Sequence, residues 1–258
     1  MATIGDIYNF IDEFAPFKKS LDYDNVGVLI GDKSINVSKV LVALDITDKV
    51  IDEAVNLGAN LIISHHPIIF KPMKKISSRS LQYNLIKNEI SVISAHTNLD
   101  LAKDGVNKCL FDALKLKDGK PLMYKKVDGE MVGFGLRGKL DRTLSASEFA
   151  QYVKESLNCD RVRFTNLDKK VRTVAVCGGA GGDLFICCVE KEIDAFVTGE
   201  IKHSEILESV MNGLAVVDAG HFKTENVVIN PFVKLLQERF KDTKFKASNS
   251  CTDTIKYI

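Results

Sequence analysis

Apolar residues along the chain follow two alternating rhythms. Ile4, Ile7, Phe10, Ile11 and Phe14 recur every three to four positions, which predicts an amphipathic helix over Ile4–Phe14. A polar loop over residues 22–31 leads into a short strand, with Asp24 and Asn25 as turn formers. Residues 40–44 are an unbroken apolar run with β-branched members, suited to a strand covered on both faces. Thr47 caps the next helix, Val50, Ile51, Ala54 and Val55 give it one apolar face, and Gly58 ends it. A strand over Leu61–Ser64, a helix over residues 80–87, a strand over 90–95 and a helix over 106–114 follow.

Residues 115–130 are polar and charged, with Gly119-Lys120-Pro121 at their centre, and read as a connection between two halves. The strand over 131–140 contains Gly133, Gly135 and Gly138, a sign of close backbone approach or bulges. Ser145 and Glu148 open a capping box for a helix over 145–157. A second series of strands (174–176, 195–197, 214–217) alternates with helices (184–191, 204–211). A long last helix over 224–240 is expected to kink or break at Pro231, before a weak strand over 245–248. Alternation of this kind implies α/β architecture with mainly parallel sheets: an N-terminal lobe over 1–125 and a C-terminal lobe over 126–258. The strand pairs Val40/Leu61 and Val174/Ala195 are each 21 positions apart, and the strand ending in Ala95-His96 resembles the one ending in Gly220-His221. The lobes therefore read as related α/β/α units.

With 258 residues, 45% of them apolar and 27% charged, the chain is long enough for either one large domain or two medium ones. A net charge of +1 gives no reason to expect nucleic acid or an acidic membrane as main partner. The N-terminus lacks the pattern of a secretory signal, and no apolar run approaches the ~20 residues needed to span a bilayer. The six cysteines form no CxxC pair and read as buried free thiols, so a reducing, cytoplasmic setting is expected.

Four of the five histidines lie where apolar runs end: His65 and His66 before Pro67, His96 in His96-Thr97-Asn98-Leu99-Asp100, and His221 four residues before Glu225. In open α/β sheets ligands bind beyond the carboxyl ends of the strands, so these side chains read as one metal site. Pro67 favours extended backbone at His66, where successive side chains diverge. A pair of ions roughly 3.5–4 Å apart therefore suits His65 and His66 better than a single ion, with Asp100 and Glu225 as anionic ligands. Nitrogen and oxygen donors without thiolate suit divalent Zn, Mn, Fe, Co or Ni. HExxH is absent, as are the cysteine frameworks of zinc fingers and nucleobase deaminases. The glycine-rich stretch 177–183 is either a tight structural turn or a phosphate cradle, without the Lys-Ser/Thr of a P-loop. Glu200 and His203, at another strand end, read either as ordinary polar surface, the favoured reading, or as groups supporting the site or lining its pocket.

The chain resembles the GTP cyclohydrolase I type 2 homologues, also called NGG-one-interacting-factor-three-like proteins. The resemblance rests on Asp24-Asn25-Val26-Gly27, Ile63-Ser64-His65-His66-Pro67, residues 96–100, Gly178-Gly179-Ala180-Gly181, Thr198-Gly199-Glu200 and residues 218–225. Thr198-Gly199-Glu200 carries Glu where many members have Asp. The family implies two α/β lobes with a dinuclear metal centre between them and assembly into a toroidal homohexamer. By position, it implies that His66 and Asp100 bind one ion, His65 and His221 the other, and that Glu225 bridges them. It further implies hydrolysis of a nucleotide or related phosphorylated heterocycle; for GTP, hydroxide would attack C8 of the guanine ring and release formate. His96 then either moves a proton or orients a ligand. The alternative is a non-catalytic, metal-binding hexameric scaffold or regulator. Residues 115–130 leave no room for the extra domain that some members insert.

Overall fold

The computed structural model describes residues 1–165, 168–256 and 258. In chain order the first elements are β1 (Ala2–Thr3), α1 (Ile4–Phe14), β2 (Gly27–Ile30), β3 (Asn36–Val37), β4 (Lys39–Ala43), α2 (Asp48–Leu57), β5 (Leu61–Ser64), α3 (Leu81–Lys87), β6 (Ser91–Ser94) and α4 (Thr97–Leu101). Next come α5 (Val106–Ala113), β7 (Lys117–Val127), β8 (Glu130–Ser145), α6 (Ala146–Ser156), β9 (Arg163–Phe164), β10 (Lys170–Cys177), α7 (Phe185–Glu190), β11 (Ala195–Thr198), α8 (His203–Met211), β12 (Ala215–Asp218) and α9 (His221–Glu225). The last are α10 (Ile229–Arg239) and β13 (Lys244–Ala247). The chain divides into two compact units: residues 1–102 with 229–252, and residues 103–228 with 253–258. Where the hydrophobic pattern suggests one division at 125/126, the chain leaves the first unit after Ala102 and returns to it at Ile229. Among the described residues no helix is long and apolar enough to cross a membrane.

The first unit is built on a five-stranded sheet of order β13-β4-β5-β6-β2, parallel except for β2. Alternate residues of β4 and β5 feed its two faces. Leu41, Ala43 and Ile62 pack with Val50, Ile51 and Ala54 of α2 and Leu85 of α3. Helix α10 contacts β4 and β13 and meets α1 through Phe14 stacked on Phe232. The expected caps are in place: Thr3 and Asp6 form a capping box, Thr47 accepts from the Val50 amide, and Gly58 takes φ +67°.

The second unit holds a six-stranded mixed sheet, β7-β8-β10-β11-β12-β9, with β10, β11 and β12 parallel at its centre. Val174 and Val176 face α5 and α6, whereas Ala175 faces α7 and α8, so both faces are covered and the run is apolar throughout. In both units the first parallel pair is offset by 21 residues: Val40 opposite Leu61, and Val174 opposite Ala195.

Two expectations need correction. Residues 115–130 are not a plain connection: β7 pairs with β8 as a long antiparallel hairpin, turned by Asp128 and Gly129 at φ 47° and 79°. Only Leu122 and Val127 of β7 are buried, so charge elsewhere along it hides the strand. Pro231 does not break the last helix. The interruption is a 3₁₀ turn over Asn226–Val228, and Pro231 sits in the first turn of α10, where an amide has no intrahelical partner to lose.

Candidate metal centre

Each unit presents histidines and carboxylates beyond the carboxyl ends of its parallel strands. In the first, β5 continues its pairing past Ser64, since the amides of His65 and His66 donate to Ala43 and Leu44 carbonyls at 3.1 and 2.9 Å. Ser64 Oγ donates to the His66 carbonyl at 2.8 Å and lies 2.8 Å from Ser94 Oγ. His96 follows β6 and caps α4, its amide donating to Asn98 Oδ1 while Asn98 Nδ2 donates to the Ala15 carbonyl.

The three imidazoles converge. Ring centroids are 5.0 Å apart for His65–His66, 5.1 Å for His65–His96 and 5.5 Å for His66–His96. One ring nitrogen from each lies within 4.8 Å of those of the other two, a grouping able to hold a metal ion. Asp100, on α4, brings Oδ1 to 3.6 Å from His65 Nε2, near the separation of two ligands on one ion, whereas the resemblance implies His66 as its co-ligand.

In the second unit His221 and Glu225 sit four apart on α9, Nε2 to Oε2 at 3.0 Å. Glu225 is buried. The glycine-rich loop after β10 closes over its carboxylate: a Cβ on Gly179 would lie 2.1 Å from Glu225 Oε1, and Gly179 has φ +62°. Three of the loop's amides are engaged, Gly178 to Asn107 Oδ1, Gly179 to Thr224 Oγ1 and Gly181 to Thr198 Oγ1. These bonds and the close approach of Gly179 to Glu225 favour the structural turn of the two readings of this stretch.

One rule unites the four histidines: Nδ1 of each faces an oxygen acceptor. His65 meets the Ala95 carbonyl at 2.9 Å, His66 meets Asp45 at 2.7 Å, His96 meets Asp24 at 2.8 Å and His221 meets Glu200 at 2.8 Å. A carbonyl or carboxylate supplies no proton, so in each neutral imidazole Nδ1 carries the hydrogen and Nε2 carries the lone pair. Imidazoles that bind metals are held in this way. Asp24 is set most firmly. Burial would raise its pKa, but hydrogen bonds from His96 and Thr97 outweigh that and hold the carboxyl down at about 2.

Of the acids that orient these histidines, Asp45 carries no motif signal in the sequence, while Asp24 and Glu200 lie in stretches that support the resemblance but have no ligand role assigned to them. Asp24 reads as a turn former and Glu200 chiefly as polar surface, with a supporting role as the alternative; each orients a histidine. His203 stays on the exposed surface at the start of α8.

The fold and much of the sequence are shared with other proteins. The family model for Duf34/NIF3 (NGG1p interacting factor 3) matches residues 2–256. The chain belongs to the Duf34/NIF3 family. A GTP cyclohydrolase 1 type 2 homolog of Clostridium acetobutylicum is 36% identical over 227 residues, covering 86% of this chain and 85% of that protein. One from Clostridium perfringens is 33% identical, with 99% of both chains covered. The crystal structure of a Staphylococcus aureus hypothetical protein superposes with a TM-score of 0.92 at 31% identity, covering 99% of both chains. Duf34/NIF3 membership agrees with the stretches quoted for the resemblance.

Proposed function

We propose that this Duf34/NIF3 protein is a dinuclear metal-dependent hydrolase of the GTP cyclohydrolase 1 type 2 kind, acting on a nucleotide or related phosphorylated heterocycle. His65, His66, Asp100, His221 and Glu225 are taken to hold two divalent ions, Zn, Mn, Fe, Co or Ni. The observation that carries the reading is the common tautomer of the four histidines, Nδ1 engaged by oxygen in every case, which makes each Nε2 a donor. Bound divalent ions supply Lewis acidity and bring the pKa of water toward neutrality.

The remaining roles fall to the chain's own groups. His96, oriented by the Asp24 carboxylate, takes up and returns a proton at Nε2. Two aromatic rings support a planar substrate. Phe70 lies 6.3 Å from His96 and 6.3 Å from Tyr23, centroid to centroid, and both are exposed. The loop bearing Phe70 is held at its root, Asn25 Nδ2 donating to the Ile69 carbonyl and Gln82 Nε2 to that of Ile68. Base–aromatic stacking on such a ring contributes about 1–3 kcal/mol. Lys71, Lys74 and Lys75 on the same loop provide charge for phosphate.

The proposal extends to a homohexamer in the cytoplasm; the exposed apolar side chains Leu207, Val210 and Met211 of α8 offer a surface for contact between copies. Light scattering on purified protein tests the assembly. For the chemistry, protein loaded with each metal in turn is assayed for formate release from GTP and then for phosphoester cleavage. Turnover that disappears in folded Glu225→Ala supports the enzyme. Inactivity with every metal and substrate favours the scaffold. If Glu225→Ala leaves the ions at His65 and His66 undisturbed, the two donor sets do not share a centre.

A further inference from the structure

The β7–β8 hairpin holds an arrangement of charge that the metal site does not use. Lys117 stands opposite Lys139 and Lys120 opposite Arg137, two like-charged pairs in adjacent rungs. Lys117 and Lys120 are three residues apart and would point to opposite faces of a regular strand. The register shift between them inserts one extra residue and brings both onto the face of Arg137 and Lys139. Like charges directly opposed are destabilising, and here the bulge creates the opposition.

A cavity of ≈ 520 Å³ opens at this point, lined by Asp118, Lys120, Arg137, Lys139, Thr173 and Ile193 among others. Nε of Arg137 is buried there without a hydrogen-bond partner. A buried guanidinium N–H left unmatched is costly, so the corner is short of an acceptor. Asp118 does not supply it; its carboxylate reaches Lys139 Nζ at 3.9 Å. Asp194, next to the cavity, accepts from the amides of Arg172 and Thr173 and from Thr173 Oγ1, with Lys169 at 3.5 Å. Lys120, Arg137 and Lys139 at the cavity, with Lys117 in the neighbouring rung, therefore share one carboxylate, Asp118, which lies against Lys139.

We infer that this bulged corner of the second unit is a binding site for a multiply charged phosphate anion. Arg137 offers a planar fork that matches phosphate oxygens, and Lys120 and Lys139, which line the cavity, offer point charges beside it, with Lys117 opposite Lys139 adding to the local charge. The site is separate from Glu200, His221 and Glu225. Those follow the carboxyl ends of β11 and β12, whereas Thr173 and Ile193 lie toward the opposite end of the same sheet, about 13 Å away along β10 at ~3.3 Å per residue.

Calorimetric titration of the metal-loaded full chain with pyrophosphate, and separately with AMP, tests the site in wild type, Arg137→Met, Lys120→Met and His221→Ala. A saturable site is expected that weakens tenfold or more in Arg137→Met and in Lys120→Met, persists in His221→Ala, and loses affinity as NaCl rises. Binding of AMP assigns the anion to a phosphate ester, and binding of pyrophosphate alone to a free inorganic anion; either upholds the site. In phosphate-free buffer Arg137→Met should raise Tm, because it removes an unmatched buried donor; a purely structural arginine would lower it. Absence of saturable binding, or binding unchanged in folded Arg137→Met and in Lys120→Met (an exposed position that tolerates the change), overturns the inference. None of these outcomes depends on turnover, so the hydrolase reading stands or falls separately.

Discussion

The corners β6–α4 and β12–α9 are built to one plan: a buried parallel strand, then a histidine, a five-residue helix and an acid four positions after the histidine. They differ in which carboxylate is buried. At His96 the orienting acid Asp24 is fully buried, and Asp100, facing the rings, is 24% exposed. At His221 the orienting acid Glu200 is 61% exposed and Glu225 is only 5% exposed. A carboxylate taken out of water needs compensating partners, so the rigid member of each pair is the buried one. The first corner fixes its histidine, and the second fixes the acid proposed as a ligand.

The largest test of this contrast is Glu225→Gln. Metal affinity should fall by more than the ~10–100-fold that loss of a supporting partner costs, read as metal content after dialysis. Gly179→Ala acts on the same carboxylate from the other side. The clash with Glu225 and the left-handed backbone together should cost about 3 kcal/mol, against roughly 1 kcal/mol for Gly213→Ala, where φ is +71° and nothing lies within 4 Å. Equal loss of Tm in the two variants would remove the claim that the glycine loop is fitted to Glu225.

Asp24→Asn should cost about 2 kcal/mol at neutral pH, from the drop in pKa from 3.8 to about 2. Because the folded-state value is the lower one, the contribution is fully present above about pH 4 and fades as pH falls toward 2. Denaturant midpoints for wild type and Asp24→Asn should therefore converge in acid; curves that stay parallel contradict it. Glu200→Gln, at an exposed position, should weaken metal binding less than tenfold with little change in Tm. The smallest effect is optical. The chain has no tryptophan, so Phe70→Trp adds a single fluorophore beside His96. GTP and guanosine should quench it, ribose 5-phosphate should not, and silence toward every base would remove Phe70 from the substrate surface.

Most of the scaffold was legible because local rules govern it. Strand cores covered on both faces, Thr47, Ser145 and Gly58 at helix ends, and tandem histidines after an apolar run each carry their signal within a few residues. The orienting acids do not. Asp24 lies 72 residues from His96, and Asp45 and Glu200 each lie 21 residues before the histidine they hold. A usable cue existed: Asp45 and Glu200 both stand two residues past the end of a parallel strand, next to the strand that bears the histidine. The hairpin of β7 and β8 escaped notice because a largely solvated strand has no apolar alternation to display, although Asp128-Gly129 marked its turn. Pro231 misled because a helix start and a helix break look alike until the preceding 3₁₀ turn is seen.

The return of α10 and β13 has a consequence for biosynthesis. β13 is the edge strand beside β4, yet about 200 residues separate Val40 from Phe245. A nascent chain emerging at roughly 5–20 residues per second must leave the β4 edge open for ten seconds or more before its neighbour arrives. Ribosome-stalled chains ending near residue 228 should therefore recruit chaperones or aggregate, and release once residues 229–252 are added.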